Sequence, residues 1–417
     1  MPSTTAPRTA RTWALSGLVI LTVNLRAAIT GISPVLDDLQ HAVHLTDTAV
    51  SVLTTLPVLC LGAFAALAPV IARRVGTESA ITGALLLITA GVALRLFPSP
   101  ACLFTGTALA GAGIAIGNVL LPAVIKQHFA HRVGAFTGLA MTLTACSGAV
   151  AAGLAVPLDH AAGWRVALAV WSLPAAAGAA LWATLAVRQR TRSGGPPAGR
   201  HTAHGGSGAP PESLLRSPLA WSVAVFLGAV SLMFYALVAW LPGIMRSHGV
   251  SQATAGAMVS VLLTIGIPLG FAVPVVAARL PNQQPLILAV TVVKVIGLVG
   301  ILTAPSAGWL WVCILGLATG SAFPLAMTVL ALRSPDPAVA ARLSGMAQTV
   351  GYLLAGVGPG LLGLLHALTG TWQIPLLLLL ALVVPETAAG LISSRPGFVP
   401  APAPAAPQPV HEKAAVG

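Results

Sequence analysis

Three ionisable residues lie deep inside long apolar runs: Arg26, Lys294 and Glu386. An ionisable group near the middle of a membrane span is expensive, so it marks a functional site or a partnered one. Arg26 lies about 15 Å below the end of its run at 1.5 Å per residue, too deep for its side chain to reach a headgroup. A guanidinium there is a fixed positive charge whose planar donors suit an anionic or strongly dipolar ligand. The alternative is a structural Arg held by backbone carbonyls and by neighbours such as Asn24. Lys294 sits near the middle of the ninth run, and Glu386 about 12 Å inside the twelfth. Neither can face lipid alone, so the two are expected to pair as an intramembrane ion pair; the alternatives are snorkelling or separate partners. Asn118, Thr142, Thr144, Tyr235, Gln348 and Tyr352 are neutral polar residues within runs. Such residues either orient a small solute through hydrogen bonds or tie helices together.

Other chemistry finds little support. The four cysteines, Cys60, Cys102, Cys146 and Cys313, lie in apolar runs without CxxC spacing and read as small buried hydrophobes. Asp37, Asp38, His41 and His44 read as a solvated loop rather than a metal site. No metal or cofactor is expected. There is no phosphate-binding Gly-Lys-Ser/Thr and no catalytic Ser/His/Asp or Cys/His grouping, so an enzyme is not expected. Arg95 lies about 5 Å from a run end and is expected to snorkel. Trp240 is expected in an aromatic belt. Gly113 with Gly117, and Gly356 with Gly360, are GxxxG pairs suited to close helix packing.

These residues are carried by a chain made for lipid. Of its 417 residues, 56% are hydrophobic and 7% charged, with mean hydropathy +0.91. A soluble domain needs about 25% charged residues, so a soluble enzyme, a secreted disulfide scaffold and a disordered protein are excluded. The net charge of +12 is not a nucleic-acid signal, because the basic residues stand singly or in pairs between apolar runs.

A span needs about 20 apolar residues. Runs of that length occur at 13–36, 48–71, 79–97, 101–125, 134–157 and 164–187, then at 218–242, 252–276, 285–303, 308–332, 342–366 and 371–393. Of the 21 Lys and Arg, sixteen fall on the side holding both termini, two (Arg165 and Arg246) on the other, and three (Arg26, Arg95 and Lys294) within spans. The positive-inside rule makes the first side cytoplasmic. The expected organisation is a six-helix half at 1–187, a basic Gly/Pro-rich linker at 188–217, a second half at 218–394, and a disordered tail at 395–417. The expected site is a cell inner (plasma) membrane, multi-pass, with both termini cytoplasmic.

The halves are related. Pro69-Val70-Ile71-Ala72-Arg73-Arg74 matches Pro274-Val275-Val276-Ala277-Ala278-Arg279, and the start of span five from Arg132 matches that of span eleven from Arg342. At the latter offset Gly148 falls on Gly358. Weakly similar six-span halves suit a transporter that holds its substrate between parallel repeats.

The chain resembles the major facilitator superfamily: an all-α membrane protein, with twelve transmembrane helices in two pseudo-symmetric six-helix halves. Within it the chain is similar to the branch named for cyanate and nitroimidazole transporters. The resembling stretches are Asn24-Leu25-Arg26, LTTLPVLCLGAFAALAPVIARRVG from Leu53, GNVLLPAVIK from Gly117 and GWRVALAVWSLP from Gly163. The second half adds YALVAWLP from Tyr235 and AQTVGYLLAGVGPGLLGLLHALTGTW from Ala347.

The resemblance implies a central cavity lined by spans one, four, seven and ten with parts of five and eleven. Arg26, Asn24, Asn118, Thr142, Tyr235, Gln348 and Tyr352 are then the candidate substrate contacts. It also places Lys294 and Glu386 on peripheral helices. The loop between spans two and three, with its counterpart at Arg279, is the conformational element, and it departs from the family pattern. Arg73 stands where an Asp is expected, Arg74 and Gly76 keep their places, and Thr77 and Glu78 replace two basic residues. Span four lacks the Arg of many proton-driven members.

The expected function is secondary active transport of a small anionic or polar solute by alternating access. A coupling proton is a family expectation that the almost acid-free spans support poorly. The alternatives are proton-coupled drug efflux and an uncoupled facilitator. The partners are a small-molecule substrate and membrane lipid, without nucleic acid, and the chain is expected to act as a monomer.

Overall fold

In hydrocarbon every backbone N–H and C=O must be satisfied within the chain, so long apolar runs become helices. The computed structural model describes residues 8–32, 35–192 and 214–399. Most of the expected linker, and the tail beyond residue 399, lie outside the described residues.

In the first half, α1 (Arg8–Thr30) is followed by the short α2 (Leu36–Val43), then α3 (Asp47–Ala65) and α4 (Ala68–Val75). Next come α5 (Thr77–Leu94), α6 (Pro100–Phe129), α7 (Val133–Ala162), the short α8 (Trp164–Ala169) and α9 (Ser172–Arg192). The second half holds α10 (Pro218–Ser247), α11 (Gln252–Arg279), α12 (Gln284–Thr303), α13 (Gly308–Arg333), α14 (Pro337–Thr369) and α15 (Gln373–Ser393).

Ten apolar stretches are long enough to cross a membrane, and one of them, Pro100–Ala162, holds both α6 and α7. α3 and α4 together form one further span, bent by 52°. Twelve crossings result. The bend falls just before Pro69, in the first turn of α4, where proline's missing N–H costs the helix least.

The repeat is visible in the packing. α1 lies along α7 and α10 along α14, while α5 pairs with α6 and α12 with α13. A Cβ placed on Gly148 of α7 would meet Cγ of Arg26 at 3.0 Å; one on Gly358 of α14 would meet Cγ of Leu232 at 2.8 Å. The place of Arg26 in the first half is thus taken by Leu232 in the second.

The halves meet at the end that holds the termini. There α7 crosses α11 so closely that a Cβ on Gly138 would stand 2.7 Å from the carbonyl oxygen of Phe271, and α14 approaches α4 through Gly345 and Pro69. Toward the other end α7 and α11 part, and nothing lies within 4 Å of a Cβ at Gly153 or Gly256. The halves are thus packed together at one end, the closed end, while Gly153 and Gly256 face open space toward the other, the open end.

The chain continues past α15 in an ordered form. Val399 is buried, its N–H donates to the carbonyl of Arg333, and Arg333 donates to the carbonyls of Ser393, Ser394 and Gly397. A disordered tail from residue 395 on is thus corrected for residues 395–399. The Arg333 guanidinium thus makes four donor contacts, three to the end of α15 and the segment after it and one to Oε1 of Gln283 just before α12.

Candidate functional site

Arg26 leaves α1 over Gly148 and is exposed; α1 ends at Thr30, so Arg26 lies about 6 Å from the helix end rather than the expected ~15 Å. The absent side chain at Gly148 lets the aliphatic stem cross α7, and Thr30 fastens the same seam by donating to the carbonyl of Gly148 (3.1 Å). The guanidinium emerges between the halves, close enough for its charge to act on the phenols of Tyr235 in α10 and Tyr352 in α14. These are the chain's two tyrosines, and the charge of Arg26 reaches both. The Arg26 side chain has no hydrogen-bond or ion-pair partner among the described residues. A guanidinium whose charge reaches two phenols of the opposite half offers planar donors to an anion.

The other expected contacts do other work. Asn24 is buried and donates to the carbonyls of Ile20 (2.6 Å) and Pro174 (3.1 Å), so it ties α1 to α9 on the side away from Arg26. Gln348, 2% exposed, donates to the carbonyl of Asn118 (3.2 Å) and to Ser344 Oγ (2.8 Å). It joins α14 to α6 across the halves, and Asn118 enters that link through its backbone. Thr142 Oγ1 is buried without a hydrogen-bond partner, on the stretch of α7 that faces Gly270 of α11. Thr144 donates to the carbonyls of Thr22 and Ala140, another tie between α1 and α7.

At the closed end Arg73 and Arg74 are exposed in the last turn of α4, and Arg279 is exposed at the end of α11. Gly76 turns the chain into α5 with φ +90°, a conformation open to glycine. Glu78 accepts from Gln127 Nε2 (2.8 Å). A residue that no local pattern singles out crosses the halves there. Lys126 of α6 donates to the carbonyls of Ala331 (3.0 Å) and Ser334, at the C-terminal end of α13. A cation at that end also meets the negative pole of the helix dipole.

Lys294 Nζ of α12 pairs with Glu386 Oε1 of α15, and Thr291 and Thr387 hydrogen-bond one turn away (2.9 Å). The pair is buried, at 1% and 4% exposure. Arg95 does not snorkel. It is 1% exposed, donates once through Nη1 to the carbonyl of Ala28 (2.7 Å), and leaves Nε and Nη2 without partners. Gly106 and the end of α5 enclose its stem, so the chain end that snorkelling requires is sealed. Trp240 does not stand free in a belt: its indole packs on Trp372 (5.3 Å) and donates to the carbonyl of Pro359 (2.7 Å). Gly113 and Gly117 pack on α5 and α1, whereas nothing lies within 4 Å of a Cβ at Gly356 or Gly360. The side chains of Asp37, Asp38 and His41 lie outside the described residues.

A model of the Major Facilitator Superfamily matches residues 18–359. The chain is 38% identical to an uncharacterized transporter, YycB, of Bacillus subtilis (strain 168), covering 93% of this chain and 94% of the relative. It is 37% identical to the 2-nitroimidazole transporter of Escherichia coli (strain K12), over 87% of this chain and 90% of the relative. To the cyanate transport protein CynX of the same strain it is 28% identical, over 85% and 90%. Among solved structures, the proton:xylose symporter XylE superposes with a TM-score of 0.73 at 11% identity, covering 91% of this chain and 95% of that one. That likeness is one of fold.

Proposed function

The chain belongs to the major facilitator superfamily, as a multi-pass membrane transporter rather than an enzyme, and from that premise we propose that its cargo is a small anion or strongly dipolar solute with planar, delocalised charge. The observation that carries this reading is the exposed guanidinium of Arg26, without a partner among the described residues, whose charge reaches Tyr235 and Tyr352 of the other half. A carboxylate, a cyanate ion or the nitro group of a nitro-heterocycle presents acceptors that a guanidinium fork meets directly. Related chains named for 2-nitroimidazole and for cyanate fall within that class. Cationic-drug export is disfavoured, because a positive charge in the cavity repels its cargo.

Transport proceeds by alternating access: the halves, 1–187 and 218–394, rock about the Arg26 site so that it opens to one side and then the other. The excess of basic residues at the closed end supports a cytoplasmic placement of that end, in a cell inner membrane, with the described state facing outward. The protein works as a monomer in lipid. Uptake of cyanate, benzoate and 2-nitroimidazole into proteoliposomes, with Arg26→Ala beside the parent chain, tests the reading. Loss of flux in Arg26→Ala with intact folding is the expected result. Unaltered transport of every solute by Arg26→Ala overturns it.

A further inference from the structure

Resting on the reading of Arg26 as an anion site, we infer that this carrier works as an exchanger: it reorients readily with an anion bound and slowly when empty. The inference starts from what can neutralise Arg26. A guanidinium keeps its charge at any physiological pH, so the cavity must find a counter-charge or close around a bare cation.

Among the described residues no side chain supplies that counter-charge. The chain has nine Asp and Glu. Glu386 is the one carboxylate well inside a span, and it is spent on Lys294 between α12 and α15. Glu78 accepts from Gln127 at the closed end, and Asp336 caps α14 by accepting from the N–H of Val339 (2.8 Å). Asp159 lies in the last turn of α7, at the open end. By position in the chain, Asp37, Asp38 and Asp47 belong to α2 and the start of α3, also at the open end, and Glu212 and Glu412 to the linker and tail. The repeat offers no acid either, since the second half places Leu232 where the first places Arg26.

Closing the open end would strip water from an unpaired cation, a step that desolvation penalises heavily. A bound anion replaces that water with a charge-assisted pair and removes most of the penalty. The loaded carrier therefore crosses quickly in both directions, whereas the empty one is held back. A proton cannot substitute for the anion, because no acid or imidazole of the described residues is placed at Arg26. Influx of one anion is then tied to efflux of another, which need be neither the same compound nor protonated.

The test is trans-stimulation. Full-length protein is reconstituted into liposomes loaded with either sodium cyanate or sodium chloride, whose spherical anion lacks the planar, delocalised charge of the proposed cargo, with membrane potential clamped by valinomycin and potassium. Initial uptake of radiolabelled cyanate and of radiolabelled benzoate is measured from outside. Uptake is expected to be at least tenfold faster into cyanate-loaded vesicles than into chloride-loaded ones. Equal rates in the two loadings overturn exchange while leaving anion transport at Arg26 in place. Flux of neither probe, above protein-free liposomes, in either loading overturns the anion reading and exchange with it. Tyr235→Glu, which puts a carboxylate where the charge of Arg26 reaches, is expected to shrink the ratio of the two uptakes to less than twofold. Full stimulation in a folded Tyr235→Glu counts against the counter-charge argument.

Discussion

Cγ of Arg26 lies 3.0 Å, and Cδ 3.4 Å, from where a Cβ of Gly148 would stand. The small residue in α7 thus decides the path of the guanidinium from α1 into the space between the halves. Gly148→Ala should push the stem aside by a few tenths of an ångström and misalign the donor fork. The expected outcome is a KM for cyanate raised about tenfold, equivalent to ~1.4 kcal/mol, with the maximal rate within about twofold. Gly358→Ala, which meets Leu232 instead, should leave KM unchanged. Initial-rate kinetics in proteoliposomes separate the two outcomes; a similar KM shift in both variants would point to loosened packing rather than to Arg26.

Lys294 and Glu386 predict a double-mutant pattern of stability. Removing one partner leaves the other charged and buried, at a cost of about 3–5 kcal/mol. Lys294→Met and Glu386→Leu should therefore each lower the thermal midpoint in detergent. Together they replace the pair with apolar volume and should recover most of the loss. A double variant as unstable as the worse single one would show that the pair is not the unit that matters. Transport should survive in the double variant, because α12 and α15 pack on each other and on the second half, away from Arg26.

Helix count and the exceptional charges were readable in the sequence for one reason: lipid makes charge expensive, so position along an apolar run already carries energetic meaning. Which face a polar residue presents was not readable. Asn24 and Arg26 are two positions apart, or about 200° around a helix. One ties α1 to α9 and the other enters the space between the halves. Gln348 looked like a ligand-orienting amide for the same lack of facing information, and its hydrogen bonds go to α6 and to its own helix. Lys126 was hidden differently. Its bond to α13 belongs to a packing of the halves against each other, which local patterns within either half do not encode.

Lys126 predicts a shift in the conformational balance. It holds the closed end by donating across the halves to the carbonyls of Ala331 and Ser334. A hydrogen bond from a charged donor contributes about 1.5–3 kcal/mol, so Lys126→Ala should raise the population open at this end about tenfold or more. Spin labels at Gly153 and Gly256, after replacement of the native cysteines, report the opposite end. Lys126→Ala should add a shorter inter-label distance to the longer one of the parent. An unchanged distribution would mean that packing at Gly138 and Gly345 holds the closed end without help from this lysine.

Arg95 gives a prediction of the opposite sign to the usual effect of deleting a buried group. Its guanidinium is enclosed at the end of α5, makes one hydrogen bond and leaves Nε and Nη2 without partners. No carboxylate of the described residues faces it, so burial is weakly compensated. Replacing a poorly satisfied buried ion with apolar volume is often neutral or stabilising, by about 1–4 kcal/mol. Arg95→Met should thus keep or raise the thermal midpoint, even though the carbonyl of Ala28 loses its donor. Transport kinetics should be close to those of the parent, since Arg26 keeps its place over Gly148. A marked fall in the midpoint would show that the single bond to Ala28, which fastens the last turns of α1 to α5, outweighs the desolvation of the charge.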